Sequence, residues 1–201
     1  VDVDQVRRTA RYLGADVLVG LQGNRLVLVL GRMQLDSKDP QVTGEALPFI
    51  DIASRLSSHF AAGPLVLGPT VDNLVEASRS ARAALAGSAV ARSWRGSSRP
   101  VAADDLLPER ALAGDGLARR SLIEQIYEPL TEQSGELLET IWCYVDNGRS
   151  LEATARELFV HPNTVRYRLK KVGEVTGCTP TGARGAPIVQ AAPLVGSIAQ
   201  N

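Results

Sequence analysis

The sequence predicts an α+β unit in the first half of the chain and an all-α unit in the second. Three observations carry that division. Two Val/Leu-rich runs, 16–21 and 25–30, flank the short connection Gln22-Gly23-Asn24, which is the spacing of a β-hairpin. Stretches with helical spacing stand on both sides of that hairpin. From about Pro108 onward the apolar residues recur at helical intervals.

The 201 residues, 44% of them apolar, suffice for one large core or two small ones. The formal net charge is zero, so any attraction to a polyanion must be local. No apolar run approaches the roughly 18–20 residues of a membrane span, and no signal peptide opens the chain. A cytoplasmic protein with no membrane partner is therefore expected. Cys143 and Cys178 have no metal-ligand neighbour at a useful spacing, and His59 and His161 are isolated. No catalytic residue, metal or cofactor is expected. The 22 basic residues divide into 19 arginines and three lysines, a bias of the kind GC-rich coding produces. Scattered arginines carry little weight, but two of the three lysines are Lys170 and Lys171.

Residues 4–13 pattern as a helix, with Val6, Ala10 and Leu13 on one side. The hairpin follows, and then a polar, Pro-bearing loop over 31–47. A helix is predicted over 48–60, with Pro48 suited to its first turn and Ile52, Leu56 and Phe60 at spacing four. Residues 64–68 read as a short strand. Asp72 is the expected N-cap of a helix over 73–86 that presents Leu74, Ala77, Ala81 and Leu85 on one face. Residues 86–99 read as a loop and 100–103 as a further strand.

In the second half, 116–133 reads as a long helical stretch interrupted at Pro129. Leu137, Ile141 and Val145 stack in the next helix beside Leu138 and Trp142, and Gly148 ends it. Between Ser121 and Gly148 stand six acidic residues and no basic one. Beyond Thr179, Pro180, Pro187 and Pro193 are expected to break any long helix.

Residues 150–172 read as two helices joined by a tight bend. Ser150 can cap the first, whose inward face is Leu151, Ala155 and Leu158. A small residue such as Ala155 is needed where two helices cross closely. Phe159 and Val160 are expected to fill the bend, although many such bends carry Gly at the position of Phe159. Pro162 suits the first turn of the second helix. At about 100° per residue, Val165, Leu169 and Val172 face the core, while Asn163, Tyr167 and Lys170 lie opposite. Arg166 flanks that face on one side, and Thr164 and Lys171 on the other. Residues 161–172 hold four basic side chains and no acidic one.

This pattern is that of a helix-turn-helix, whose second helix enters the DNA major groove. Asn163, Arg166 and Tyr167 are then the candidates for base edges, with Thr164, Arg168, Lys170 and Lys171 on phosphates. The alternative is a solvated basic helix in a bundle, with Arg168 paired to Glu157. Double-stranded DNA is the expected partner, bound by a homodimer or higher homo-oligomer.

The run Leu158-Phe-Val-His-Pro-Asn-Thr-Val-Arg-Tyr-Arg-Leu-Lys-Lys-Val172, followed by Thr176-Gly177, resembles the C-terminal helix-turn-helix of PucR/CdaR-type bacterial transcription regulators. With the preceding helix the resemblance covers about 136–178. The family usually continues as a leucine-rich helix, from which 179–201 departs. Family members often carry a GGDEF-like domain upstream, and residues 1–105 resemble part of one (ferredoxin-type). In active diguanylate cyclases the hairpin turn reads Gly-Gly-Asp/Glu-Glu-Phe. Here the matching residues are Gln22-Gly23-Asn24-Arg25-Leu26. Asn24 and Arg25 replace the metal-binding carboxylates, so the resemblance implies a degenerate domain without cyclase activity.

The chain begins without Met, within a predicted helix, and the first strand and helix of such a domain would precede Val1. An N-terminally truncated domain is therefore expected. The expected organisation is a GGDEF-like domain at 1–105, linking helices at 106–133, the helix-turn-helix domain at 134–178 and a tail at 179–201. Stretches 103–112 and 150–155 also resemble the actinobacterial FasR/MabR regulators of fatty-acid and mycolic-acid synthesis genes. That resemblance implies such targets and, as the alternative role of the upstream domain, sensing of a small effector such as an acyl-CoA, or dimerisation.

Overall fold

The computed structural model describes residues 1–33, 47–93, 99–133 and 135–200, which divide into two compact units, Val1–Ala103 and Asp104–Asn201. The first is α+β and the second all-α.

In the first unit, helix α1 (Val3–Tyr12) starts where the Asp2 carboxylate accepts from the Gln5 N–H at 3.0 Å. Strands β1 (Ala15–Gln22) and β2 (Arg25–Arg32) form the expected hairpin, in register from Ala15↔Arg32 to Gln22↔Arg25. Gly23 takes φ +61° in the two-residue turn, a conformation open to a residue without Cβ. Because β2 runs to Arg32, the predicted loop begins later than expected, and most of it lies outside the described residues. Helix α2 (Phe49–Leu56) packs Ile52 and Leu56 against Val6, Ala10, Ala15 and Val17. Pro48 stands one residue ahead of that helix, at its cap.

Strand β3 (Val66–Leu67) pairs in parallel with β4 (Val101–Ala102), and α3 (Leu74–Val90) lies between them in the chain. The Arg99 guanidinium donates to the carbonyls of Ser57, Phe60, Ala61 and Gly63. It thereby ties the segment after α2 to the start of β4. Two expectations for α3 need correction. Its cap is Asn73, whose extended backbone lets Oδ1 accept from the Glu76 N–H at 3.0 Å. Its buried residues are Ala83 and Gly87, while Leu74 is 81% exposed. Small side chains win this face because the backbones approach closely. A Cβ on Gly68 would stand 2.3 Å from the Ser80 carbonyl oxygen. The helix also continues to Val90, into the predicted loop 86–99, of which 94–98 lie outside the described residues.

The second unit is built from α4 (Leu107–Leu112), α5 (Gly116–Leu122), α6 (Glu128–Glu132), α7 (Glu136–Asp146), α8 (Leu151–Glu157), α9 (Pro162–Thr176) and α10 (Gly185–Ala199). A wider π-type turn, Ile123–Tyr127, joins α5 to α6. The predicted break thus falls one turn ahead of Pro129, whose ring would crowd the carbonyl four residues before it. Leu122, Ile126, Leu130, Leu137, Ile141, Val172 and Val189 share one core. Asp115 serves two ends at once. One oxygen accepts from the Leu117 N–H at 2.9 Å, and the other holds the buried Arg110 guanidinium at 2.9 Å.

Helix α10 overturns the expectation that the tail prolines exclude a long helix. Pro187 lies in the first turn, where backbone N–H groups have no helical partner anyway. Only Pro193 removes an interior bond, and it is buried together with Ile188, Val189 and Ala192. Gly196 lies directly against Tyr127: a Cβ there would stand 2.2 Å from the ring. Gly196→Ala is accordingly expected to destabilise this unit by about 1–3 kcal/mol, measured by thermal unfolding. An unchanged Tm would show that α10 does not dock as described.

Candidate nucleic-acid interface

Two helix ends and one small residue set the geometry of residues 144–176. Helix α7 ends when Gly148 takes φ +61°. The Gly148 N–H then donates to the Val145 carbonyl at 3.0 Å, and the Arg149 N–H to Tyr144 at 2.8 Å. This pair of bonds is a Schellman cap, with Gly in the left-handed position. Ser150 then opens α8, its hydroxyl accepting from the Ala153 N–H at 3.2 Å, a cap worth about 1 kcal/mol.

Helix α8 closes with the same two bonds. The Phe159 N–H donates to Arg156 at 3.3 Å and the Val160 N–H to Ala155 at 2.9 Å. The left-handed position is now Phe159, at φ +53°. That conformation costs a residue with a Cβ about 1–2 kcal/mol. Val160 packs inward as expected, but Phe159 does not fill the bend: the residue is 95% exposed. The left-handed backbone turns it away from the core.

The crossing of α8 and α9 centres on Ala155, buried with Tyr144, Val165 and Leu169. Helix α9 begins where His161 Nδ1 accepts from the Asn163 N–H at 3.2 Å, with Pro162 in its first position. Val165, Leu169 and Val172 are almost fully buried. Each contributes about 1.5–3 kcal/mol by leaving water. Cys143 lies under this crossing, and its burial pushes the thiol pKa up, with Glu157 adding to the effect.

The seven residues expected at the interface do not all lie together. Asn163, Arg166, Tyr167 and Lys170 are exposed, and Arg166 donates to the Asn163 side-chain oxygen. Thr164 and Lys171 are half-buried. Lys170 and Lys171 both reach Glu174, at 3.7 and 3.4 Å. Arg168 is turned the other way. Its side chain is 14% exposed, pairs with Glu136 at 2.9 Å and donates to Thr140 Oγ1 at 3.3 Å. Its partner is thus Glu136 of α7 rather than Glu157, which instead accepts from Asn147. Three participants were missed by sequence reasoning: His161 as a cap, Glu174 as a carboxylate beside the lysines, and Phe159 as an exposed aromatic. For Phe159 the signal was present, since many such bends carry Gly there.

Residues 137–194 match the family described as PucR C-terminal helix-turn-helix domain, and residues 2–90 the GGDEF-like domain family. An uncharacterized protein of Mycobacterium tuberculosis is 41% identical over 193 residues, which are 96% of this chain. The chain spans 44% of the length of that relative. The proline-responsive transcriptional activator PutR of Bacillus subtilis is 42% identical over 45 residues, 22% of this chain and 11% of that protein. Among solved structures, a regulator of polyketide synthase expression from Bifidobacterium adolescentis is similar with a TM-score of 0.76 and 34% identity. The match covers 98% of this chain and 74% of that one.

Two substitutions test the packing described here. Ala155→Leu is expected to destabilise the second unit by about 1–3 kcal/mol through overpacking of the crossing. Arg168→Ala should cost about 1 kcal/mol, because it breaks a half-screened ion pair. Chemical denaturation reads both, and a neutral Ala155→Leu would contradict the close crossing.

Proposed function

Because the chain belongs to the PucR family of transcriptional regulators, with a GGDEF-like domain ahead of a C-terminal helix-turn-helix, we propose that it binds specific operator DNA through α9. One observation carries this reading. The helix holds its apolar side against Ala155 and Tyr144 and leaves Asn163, Arg166, Tyr167 and Lys170 exposed on one continuous surface. Asn and Arg can make paired hydrogen bonds to adenine and guanine edges, and Lys supplies charge to phosphates. Thr164 and Lys171 flank that surface, within reach of the backbone. Arg168 supports the reading differently from expectation, as a buttress that fixes α9 on α7.

A single helix-turn-helix rarely supplies sufficient affinity. A homodimer, or a higher homo-oligomer, would place two recognition helices about 34 Å apart, or a multiple of that, on a palindromic site. Fatty-acid or mycolic-acid synthesis genes are the proposed targets, supported by the likeness of 103–112 and 150–155 to regulators of those genes. The upstream domain acts as a sensor or dimerisation module rather than an enzyme. Asn24 and Arg25 stand at the hairpin turn where a cyclase needs carboxylates, and they do not fit a Mg²⁺ site. A small effector such as an acyl-CoA would act there, in a cytoplasmic protein.

The test uses duplexes selected by the protein from a random-sequence pool, with affinity measured across a salt series. Lys170→Ala is expected to flatten the slope of log K against log salt by about one unit. Arg166→Ala should weaken binding about tenfold or more and relax the preference at one base pair. Arg168→Ala should leave the slope unchanged. Unaltered affinity and slope in all of these variants would refute the assignment of α9 to the groove.

A further inference from the structure

Phe159 combines two properties that oppose each other within the folded chain. The residue is 95% exposed, the most of any large hydrophobic among the described residues. Its backbone sits at φ +53°, and among the described residues only Arg149 is also a non-glycine residue at positive φ. The end of α7 shows the cheaper solution to the same turn, with Gly148 in the equivalent position of an equivalent hydrogen-bond pair. A glycine would serve the α8 turn as well, without the backbone penalty or the exposed ring. Phe159 therefore gains nothing from packing inside this chain that would offset its conformation. Strained residues of this kind concentrate at functional sites.

What meets the ring follows from its place in the chain. Phe159 stands two residues before His161, the cap of α9, and four before Asn163. In a helix-turn-helix the N-terminal residues of the second helix reach the base edges. A side chain projecting from the bend just ahead of that terminus is the apolar group nearest in the chain to the residues proposed for the groove. The base edges of the major groove offer one apolar group, the thymine 5-methyl. We infer that Phe159 is a specificity-determining contact to a thymine methyl at the edge of the site read by Asn163 and Arg166. This rests on the DNA-binding reading above and adds a residue of a different chemistry to it.

Phe159→Gly is expected to bind the selected duplex about tenfold more weakly, with the Tm equal or raised. The salt slope should stay unchanged, since no charge is lost. Phe159→Tyr should retain most of the affinity. Replacing thymine by uracil at the contacted position should weaken the unchanged protein about fourfold and leave Phe159→Gly unaffected. Equal affinity of Phe159→Gly and the unchanged protein overturns this inference and leaves the DNA reading standing. So does a uracil effect that persists in Phe159→Gly. A Tm lowered by several degrees would place the ring inside the fold. A shift of the DNA-free protein toward smaller species in sedimentation would place it in a protein interface. Either result overturns the thymine contact. If the unchanged protein selects no duplex at all, both readings fall together.

Discussion

The close crossing of α8 and α9 at Ala155 is the constraint on which the rest of the second unit depends. A methyl group at that point lets the two backbones approach, with Tyr144, Val165 and Leu169 closing around it. The crossing then fixes which side of α9 meets solvent. With Val165, Leu169 and Val172 inward, the helical repeat leaves no freedom for Asn163, Tyr167 and Lys170, which must face out. Arg168 completes the arrangement from the flank, where its pairing with Glu136 sets α9 against α7. A recognition helix needs such a rigid seat, because contacts to base edges tolerate little misplacement.

Much of this was legible before any coordinates. Period-two and period-3.6 patterns have separate physical origins, so the hairpin and the inward face of α9 could be read directly. Ser150 and Gly148 were equally readable, since cap chemistry depends on single residues. The failures share a cause as well. Asn73, not Asp72, caps α3, because both side chains can cap and only the backbone decides which is placed to do so. Leu74 is exposed and Ala83 and Gly87 are buried because the face of α3 that turns inward is the one at Ser80, which Gly68 approaches too closely for a Cβ. Arg168 reads as a phosphate contact because its position on the helix lies between faces, and the acidic partner that draws it inward sits 32 residues earlier, on another helix. The tail failed for a similar reason. A single buried proline lost its backbone bond, but the packing of α10 on the core compensated for it.

The first unit holds its hairpin without a carboxylate at the turn. Gly23 keeps the backbone geometry that closes the hairpin, and the strands keep full register from Ala15 to Arg32. The neighbouring positions, Asn24 and Arg25, carry no carboxylate. The hairpin is thus maintained by backbone pairing and by the core of Val6, Ala10, Val17, Ile52 and Leu56, none of which needs a bound ion.

On the DNA-binding reading proposed for α9, Glu174 bears on how attraction divides between phosphate and base contacts. The carboxylate sits within 4 Å of both lysines of α9 and so acts as a resident counterion on that helix. Any phosphate approaching Lys170 or Lys171 must compete with it. Random DNA and an operator meet this competitor alike, since both present the same phosphates. Its cost therefore cancels between them, and the proposed contacts of Asn163 and Arg166 would carry the difference. The carboxylate would then lower phosphate-driven attraction to every sequence, which speeds release from wrong sites without itself setting the preference.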